Sequence, residues 1–400
     1  MAGSAVAIGL RRIGCEVVMI ERRTAAESRG GSYLTVAPNG LAALDALGVL
    51  DSVVDVGFPT SRNVMVGAGG RVLGSIGAGA PVRDGVAALT APRWALAARL
   101  GELAVDAGAV VERGDAVEWV RQDGAGVVVE CASGRSLTGD LLVGADGVNS
   151  VVRRAIDPDA PDARYVGLTN FGGITTTPAT IGEFAPDGWT FVFGRRAFFG
   201  AHPTPDGDVV WFVNVPESPI DRARRDATSE SQWRDRLADL LSVDPGPAAD
   251  LVRAGRLQLA GDNTYDLPEV ARWSTGHMVL IGDAVHAPSP SSGQGASMAV
   301  EDAVVLAQAL RDHPSPADGF TAYERARRRR VERIVAVGAR SSSSKIPGPI
   351  GRLVMEMMMR LAFRTVVTEQ KMAWMTDHRL RWDDPVEGIP PAGAEVRTGR

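Results

Sequence analysis

The short apolar run from His277 to Ile281 stops at Gly282-Asp283. A run of this length, without polar alternation, predicts a buried strand of a parallel sheet. A Pro/Ser/Gly loop follows, and Gly293-Gln-Gly295 then leads into Ala296–Leu310, which is apolar at helical spacing. The same strand, acid and helix order recurs upstream. Residues 140–147, Asp-Leu-Leu-Val-Gly-Ala-Asp-Gly, read as a second buried strand ending in acid-glycine, with a helix over 149–156. Near the start, Gly3–Arg12 is a helix of small and apolar residues with Gly14 as its C-cap. Glu16–Ile20 then forms a strand closed by Glu21. Three acid-terminated strands among helices predict an α/β layer.

Elsewhere the pattern is mixed. Pro38-Asn39-Gly40 starts a helix that runs on through 41–54, and 64–75 alternates around Gly69-Gly70, a hairpin signal. Arg93 opens a helix with Leu96, Leu100 and Leu103 on one face, and strands 116–121 and 127–131 join through Gly124-Ala-Gly126. From 158 to 274 the chain turns β-rich, with one helix over 230–241. Strands 189–193 and 209–215 are aromatic and β-branched, predicting an antiparallel sheet. Its Phe191, Phe193, Phe198, Phe199, Trp211 and Phe212 fit a packed β-layer, and as a set they also fit an aromatic substrate pocket. The arginines at 327–330, on a helix over 323–340, read as a solvated face. Residues 350–374 are rich in Met, Leu, Phe and Val, but Arg352, Glu356, Arg360 and Arg364 recur at steps of four. That polar stripe predicts a helix lying on a core or an interface, with no transmembrane segment.

Composition narrows the classes. Four hundred residues, 45% hydrophobic, predict two or three lobes. A net charge of −5 argues against a nucleic-acid partner. Two cysteines and five histidines show no metal spacing, so no metal is expected. The chain reads as a reduced, cytoplasmic protein, monomeric or a homodimer, with no secretory signal at its start.

The chemistry follows from the strand ends. A glycine-rich turn entering a helix N-terminus forms an electropositive cradle of backbone N–H groups. Asp283, at the carboxyl end of its strand, is placed to accept from ligand hydroxyls. In a dinucleotide-binding unit an acid stands about 20 residues after the glycine fingerprint. Glu21 stands 18 positions after Gly3, so Gly3 fits the last glycine of that fingerprint. The first strand and first two glycines of the unit are missing from the sequence, the expectation for a truncated chain or a start placed too late.

Gly3-Ser4 with Glu21-Arg22-Arg23, Gly144-Ala-Asp-Gly147, and Gly282-Asp283 with Gly293-Gln-Gly295 occur in one order. In that order the chain resembles the FAD-dependent single-component monooxygenases of the p-hydroxybenzoate hydroxylase type over about residues 3–385. The resemblance implies a Rossmann-like FAD-binding domain of the GR2 type, assembled from 1–70, 91–157 and 276–330. It further implies an interleaved antiparallel substrate domain (71–90 and 158–275), C-terminal helices (331–385) and a loose tail (386–400). Implied cofactor residues are Gly3, Glu21 and Arg22 (adenosine ribose side), Arg93 (ribityl-phosphate chain) and Val117 (adenine). Asp146 and Gly147 would serve FAD and the nicotinamide cofactor. Asp283 would take a ribityl hydroxyl or the pyrophosphate region, with Pro290, Gly293, Gln294, Gly295, Ala296 and Ser297 along the flavin edge. Phe191, Phe193 and Trp211 would line the substrate pocket, and His286 and His202 are candidate proton handlers. The implied reaction inserts one atom of O2 into an aromatic, phenolic or polyketide-like substrate through a flavin C4a-hydroperoxide, with NADPH or NADH as co-substrate. A same-fold epoxidase, N-hydroxylase or reductase, and a truncated product that binds no flavin, stay open at this point.

Overall fold

A computed structural model describes residues 1–27, 30–83, 85–124, 126–267, 269–289, 292–343 and 348–386. Its core is built around helix Gly295–Asp312, which is buried at every position from Ser297 to Ala309. Two helices cross it where glycine permits close approach. Helix Ala2–Arg12 passes at Gly9, where a Cβ would stand 2.8 Å from the Ala307 Cβ. Helix Pro38–Ala46 passes at Gly40, where a Cβ would stand 2.7 Å from the Ser297 hydroxyl oxygen. The long helix Pro316–Ser343 adds Phe320, Tyr323, Val331 and Ile334 to the same core.

Local signals explain the helix ends. Gly14 takes φ +90, so the Cys15 N–H reaches the Leu10 carbonyl and the Gly14 N–H that of Arg11, a Schellman closure. Ser229 and Gln232 form a reciprocal capping box on helix Glu230–Leu241. The single helix expected over 38–54 breaks at Gly48 (φ +77), leaving Pro38–Ala46 and Leu50–Val53.

The parallel layer forms two ladders. Val18–Glu21 pairs with Val110–Arg113, and Leu142–Gly144 pairs with Met278–Leu280. Antiparallel strands Tyr33–Val36, Ala88–Pro92 and Phe58–Thr60 form a three-stranded sheet, and Val117–Asp123, Gly126–Cys131 and Ser136–Gly139 form a meander. The largest sheet has seven strands, in the order Arg256–Asp266, Arg164–Thr175, Val209–Pro216, Phe198–Pro203, Gly188–Phe193, Arg62–Gly67 and Val72–Gly77.

Two expected boundaries move. Both arms of the 62–77 hairpin lie in the seven-stranded sheet, so a division at residue 70 would cut a hydrogen-bonded hairpin at its turn. A division at 330 would cut helix Pro316–Ser343, whose two halves both pack into the main core. All but the first residue of the expected tail lies outside the described residues. Cys15 and Cys131 are free thiols, the first half-buried and the second buried.

Candidate cofactor and substrate site

The strand Met278–Leu280 is fully buried and ends in a tight turn, Gly282–Ala284. Gly282 adopts φ +58, and a Cβ there would stand 3.1 Å from the Ala2 Cβ and 3.3 Å from that of Ala299. The turn is therefore wedged between the first turns of helices Ala2–Arg12 and Gly295–Asp312. Neither first turn carries an acidic side chain, so no acid of its own offsets the positive end of either helix. The Asp283 carboxylate lies 4.0 Å from where a Cβ would stand on Gly295. Glu21, Arg93 and Asp283, from three distant parts of the chain, all lie within electrostatic range of the Met1 nitrogen. Gly3 faces Ala145, with 3.6 Å from its Cβ position to the Ala145 Cβ, which brings the acid-glycine turn at 146–147 to the same place.

The other expected cofactor residues fall around this centre, some in different roles. Glu21 is half-buried and accepts from the Arg23 N–H at 3.0 Å, while Arg22 is exposed beside it. The Glu21 carbonyl accepts from the Gly114 N–H at 2.9 Å, which brings the strand beginning at Val117 to the same edge. Asp146 caps helix Val151–Ile156: its carboxylate accepts from the Ser150 hydroxyl at 2.5 Å and the Val151 N–H at 2.7 Å. Asp146 is exposed, and Gly147 beside it has open space beyond its Cα. Gln294 and Ser297 turn their side chains inward, accepting from the Asn39 amide (3.0 Å) and the Ala37 N–H (3.0 Å). Gly293 is exposed, and Gly295 and Ala296 are half-exposed, so what this stretch presents to the outside is largely backbone. Pro290 lies outside the described residues.

Sequence reasoning missed Arg153. Its guanidinium is 1% exposed and donates to the Ala284 carbonyl at 3.0 Å and the Val148 carbonyl at 2.8 Å, joining the two acid-bearing turns. Nothing local marks this arginine, because both acceptors are backbone atoms brought in by the fold.

Beneath the Gly282 turn lies a buried ionic cluster. Asp302 accepts from the Gly282 N–H (2.9 Å), His286 Nε2 (2.5 Å) and Arg327 Nε (2.8 Å). Glu301 meets Arg327 at 2.6 Å and Arg330 at 2.8 Å, and also accepts from the Asn39 amide at 2.7 Å. Burial by itself raises the Glu301 carboxyl, but Arg327 and Arg330 outweigh it and hold it at about 2. Asp302 is likewise held well below the usual carboxylate range, with His286 and Arg327 overcoming its burial. The arginine run is thus only partly a solvated face: Arg329 is exposed, but Arg327 is 1% exposed and Arg330 12%. His286 is a buried anchor of the turn through Asp302, and its Nδ1 is buried without a hydrogen-bond partner among the described residues.

The seven-stranded sheet has two distinct faces. Val209, Trp211, Val213 and Val215 point with Phe171 and Phe199 toward helices Glu230–Leu241 and Ala248–Ala254. Trp211 is 2% exposed and donates to Thr175 at 3.0 Å, so it belongs to this core and is removed from the expected pocket. The other face carries Trp189, Phe191, Phe193, Phe198 and Phe212. Trp189 and Phe191 stack 5.8 Å apart, and Phe193 meets Phe198 edge-on at 5.1 Å. Phe191, Phe193 and Phe212 remain half-buried. A side chain at Gly200 would stand 2.4 Å from Phe212 and 3.1 Å from Phe191, so glycine leaves that wall flat.

His202 is on this face but closed off. Its Nδ1 lies 2.7 Å from the Pro203 carbonyl, which only accepts, so Nδ1 carries the proton. Burial lowers its pKa and keeps the ring neutral, so Nε2 accepts from the Thr60 hydroxyl at 3.1 Å. Thr60 then accepts from Thr90 at 2.6 Å, and Thr90 from Thr35 at 2.8 Å and from the Trp189 N–H at 3.2 Å. Every proton in the chain is committed, so the role expected of His202 as a proton handler gives way to a structural one.

The family model described as FAD binding domain matches residues 1–337. Aurachin C monooxygenase/isomerase of Stigmatella aurantiaca is 29% identical over 345 residues, 84% of this chain and 85% of that protein. Chloroplastic zeaxanthin epoxidase of Solanum lycopersicum is 29% identical over 363 residues, 83% of this chain and 51% of that protein. The chain therefore spans about half the epoxidase's length. Among solved structures, Klebsiella pneumoniae HpxO complexed with FAD and uric acid matches with a TM-score of 0.76. That match is 23% identical and covers 94% of this chain and 93% of that one.

Proposed function

The chain belongs to the FAD binding domain family, the flavoprotein hydroxylases of the p-hydroxybenzoate hydroxylase type, and on that premise we propose that it adds one oxygen atom of O2 to a small aromatic substrate. NADPH or NADH supplies the electrons in this reading, in the cytoplasm. One observation carries it: Glu21, Arg93 and Asp283 converge where two acid-free helix N-termini meet. That donor set fits FAD. Positive helix ends and Arg93 suit its phosphates, Glu21 and Asp283 accept from its hydroxyls, and the open backbone at Gly147 and Gly293 admits a flat group. Bound FAD supplies the redox chemistry of oxygen activation. The chain's own residues bind, orient and exclude water. Phe191, Phe193 and Phe212 form an apolar wall for the substrate ring, and Trp189, fixed through Thr35, keeps that wall in register.

A second reading is epoxidation of an alkene, favoured by the similarity to zeaxanthin epoxidase. On strands 188–193, 198–203 and 209–216 the aromatic face carries no carboxylate, and its one histidine is already engaged, so these strands offer no base for a phenol.

The test begins with visible absorption of the purified chain after incubation with FAD. Asp283→Ala is expected to weaken FAD binding at least tenfold, with an unchanged far-ultraviolet circular dichroism spectrum. A variant that keeps its flavin and its turnover would show that the site is misplaced. Phenols that stimulate NADPH oxidation and appear hydroxylated support the first reading, and turnover of alkenes alone supports the second.

A further inference from the structure

The helix Pro349–Thr365, near the end of the described chain, presents much of its apolar surface outward. Leu353 is 71% exposed, Met357 66%, Met358 63% and Leu361 63%, with Val354 at 44%. Positions 353, 357 and 361 stack at steps of four with 354 and 358 beside them, so these residues form one continuous stripe. The side turned to the protein is partly polar. Glu356 accepts from the Ala68 N–H at 3.0 Å, Arg352 donates to the Arg195 carbonyl at 3.4 Å, and Phe363 fills the space over Gly74. The polar stripe read from the sequence is therefore split: Arg352 and Glu356 fix the helix to the substrate sheet, while Arg360 and Arg364 stay exposed.

We propose that this helix lies on an anionic lipid surface, with its apolar stripe in the headgroup boundary and Arg360 and Arg364 on lipid phosphates. Charge decides the occupant. Glu356 is the only acid between 349 and 368, and it is engaged with the protein. The exposed part of the helix is thus apolar and cationic in a chain whose net charge is −5. Arg196, exposed on the neighbouring hairpin tip, extends the basic rim, while Arg195 beside it is paired with Asp244. A second copy packed on this stripe would bring arginines to a face without acids, whereas anionic headgroups neutralise them. An outward apolar stripe flanked by arginines is the pattern of helices that lie in a membrane interface. No helix among the described residues is long and apolar enough to cross a membrane, so the contact is peripheral.

Sedimentation of the FAD-loaded full chain with vesicles tests the proposal. Equimolar phosphatidylcholine and phosphatidylglycerol should bind it at least tenfold better than phosphatidylcholine alone. Arg360→Gln/Arg364→Gln should weaken that binding by about fivefold per arginine. Met357→Gln/Leu361→Gln should weaken it at least tenfold, and both double variants should keep the parent melting temperature because the altered side chains are exposed. A parent protein that stays in the supernatant with anionic vesicles at low salt would overturn the proposal. So would a parent dimer, seen by ultracentrifugation, that Met357→Gln/Leu361→Gln converts to monomers, since the stripe would then pair with a second copy.

Discussion

Arg327 shows how far a single side chain is determined by distant partners. It sits between Glu301 and Asp302, all three nearly inaccessible to solvent. Removing one member of a buried ionic group leaves uncompensated charge, which costs more than the intact group contributes. Arg327→Met should therefore destabilise the protein by roughly 3–5 kcal/mol in denaturant titration. Adding Glu301→Gln and Asp302→Asn to that variant should recover much of the loss. No recovery would mean that the cluster acts through shape and not through charge. The cluster was illegible in the sequence because the arginines and their acids lie on different helices, more than twenty residues apart. By contrast, Glu21 and Asp283 were legible, each the acid that closes a short apolar run.

At the scale of elements, packing is set where helices touch. Gly9 and Ala307 meet so closely that an added methyl has no room. Gly9→Ala should cost about 1–3 kcal/mol through overpacking, outweighing the gain in helix propensity. The exchange Gly9→Ala/Ala307→Gly moves the methyl across the contact, keeps its volume and balances propensity, and should restore most of the melting temperature. A double variant as unstable as the single one would show that the crossing is not the constraint. The helices were readable locally, as was the cap at Gly14. Strand partners were less so. The 62–77 hairpin was visible, but its membership of the large sheet depends on pairing with Gly188–Phe193, far along the chain. Burial of Trp211 followed the same logic: its neighbours across the sheet, not its own sequence context, decide which face it joins.

At the scale of the whole molecule, the half-buried His378 ties stability to pH. Burial first, then Arg330 and Arg327, lower His378 from about 6.5 to about 4, while Glu301 opposes the shift. The folded protein thus holds His378 neutral at pH values where the unfolded chain takes up a proton. Stability is full above about pH 6.5 and falls as pH drops from there toward 4, by on the order of 2 kcal/mol for this residue. Thermal unfolding followed by tryptophan fluorescence should show that slope, and His378→Gln should flatten it; an unchanged slope would assign it to other groups. Below about pH 4.5 protonation of Glu301 adds a second loss, complete near 2. The two-faced sheet has a consequence of another kind. Along Val209–Pro216, one alternate set packs under helices Glu230–Leu241 and Ala248–Ala254, while on the opposite face Val210 and Asn214 are buried and only Phe212 and Pro216 reach the surface. On the reading proposed above, a lineage built on this sheet can alter what it receives at Phe212 without disturbing the core set beneath it.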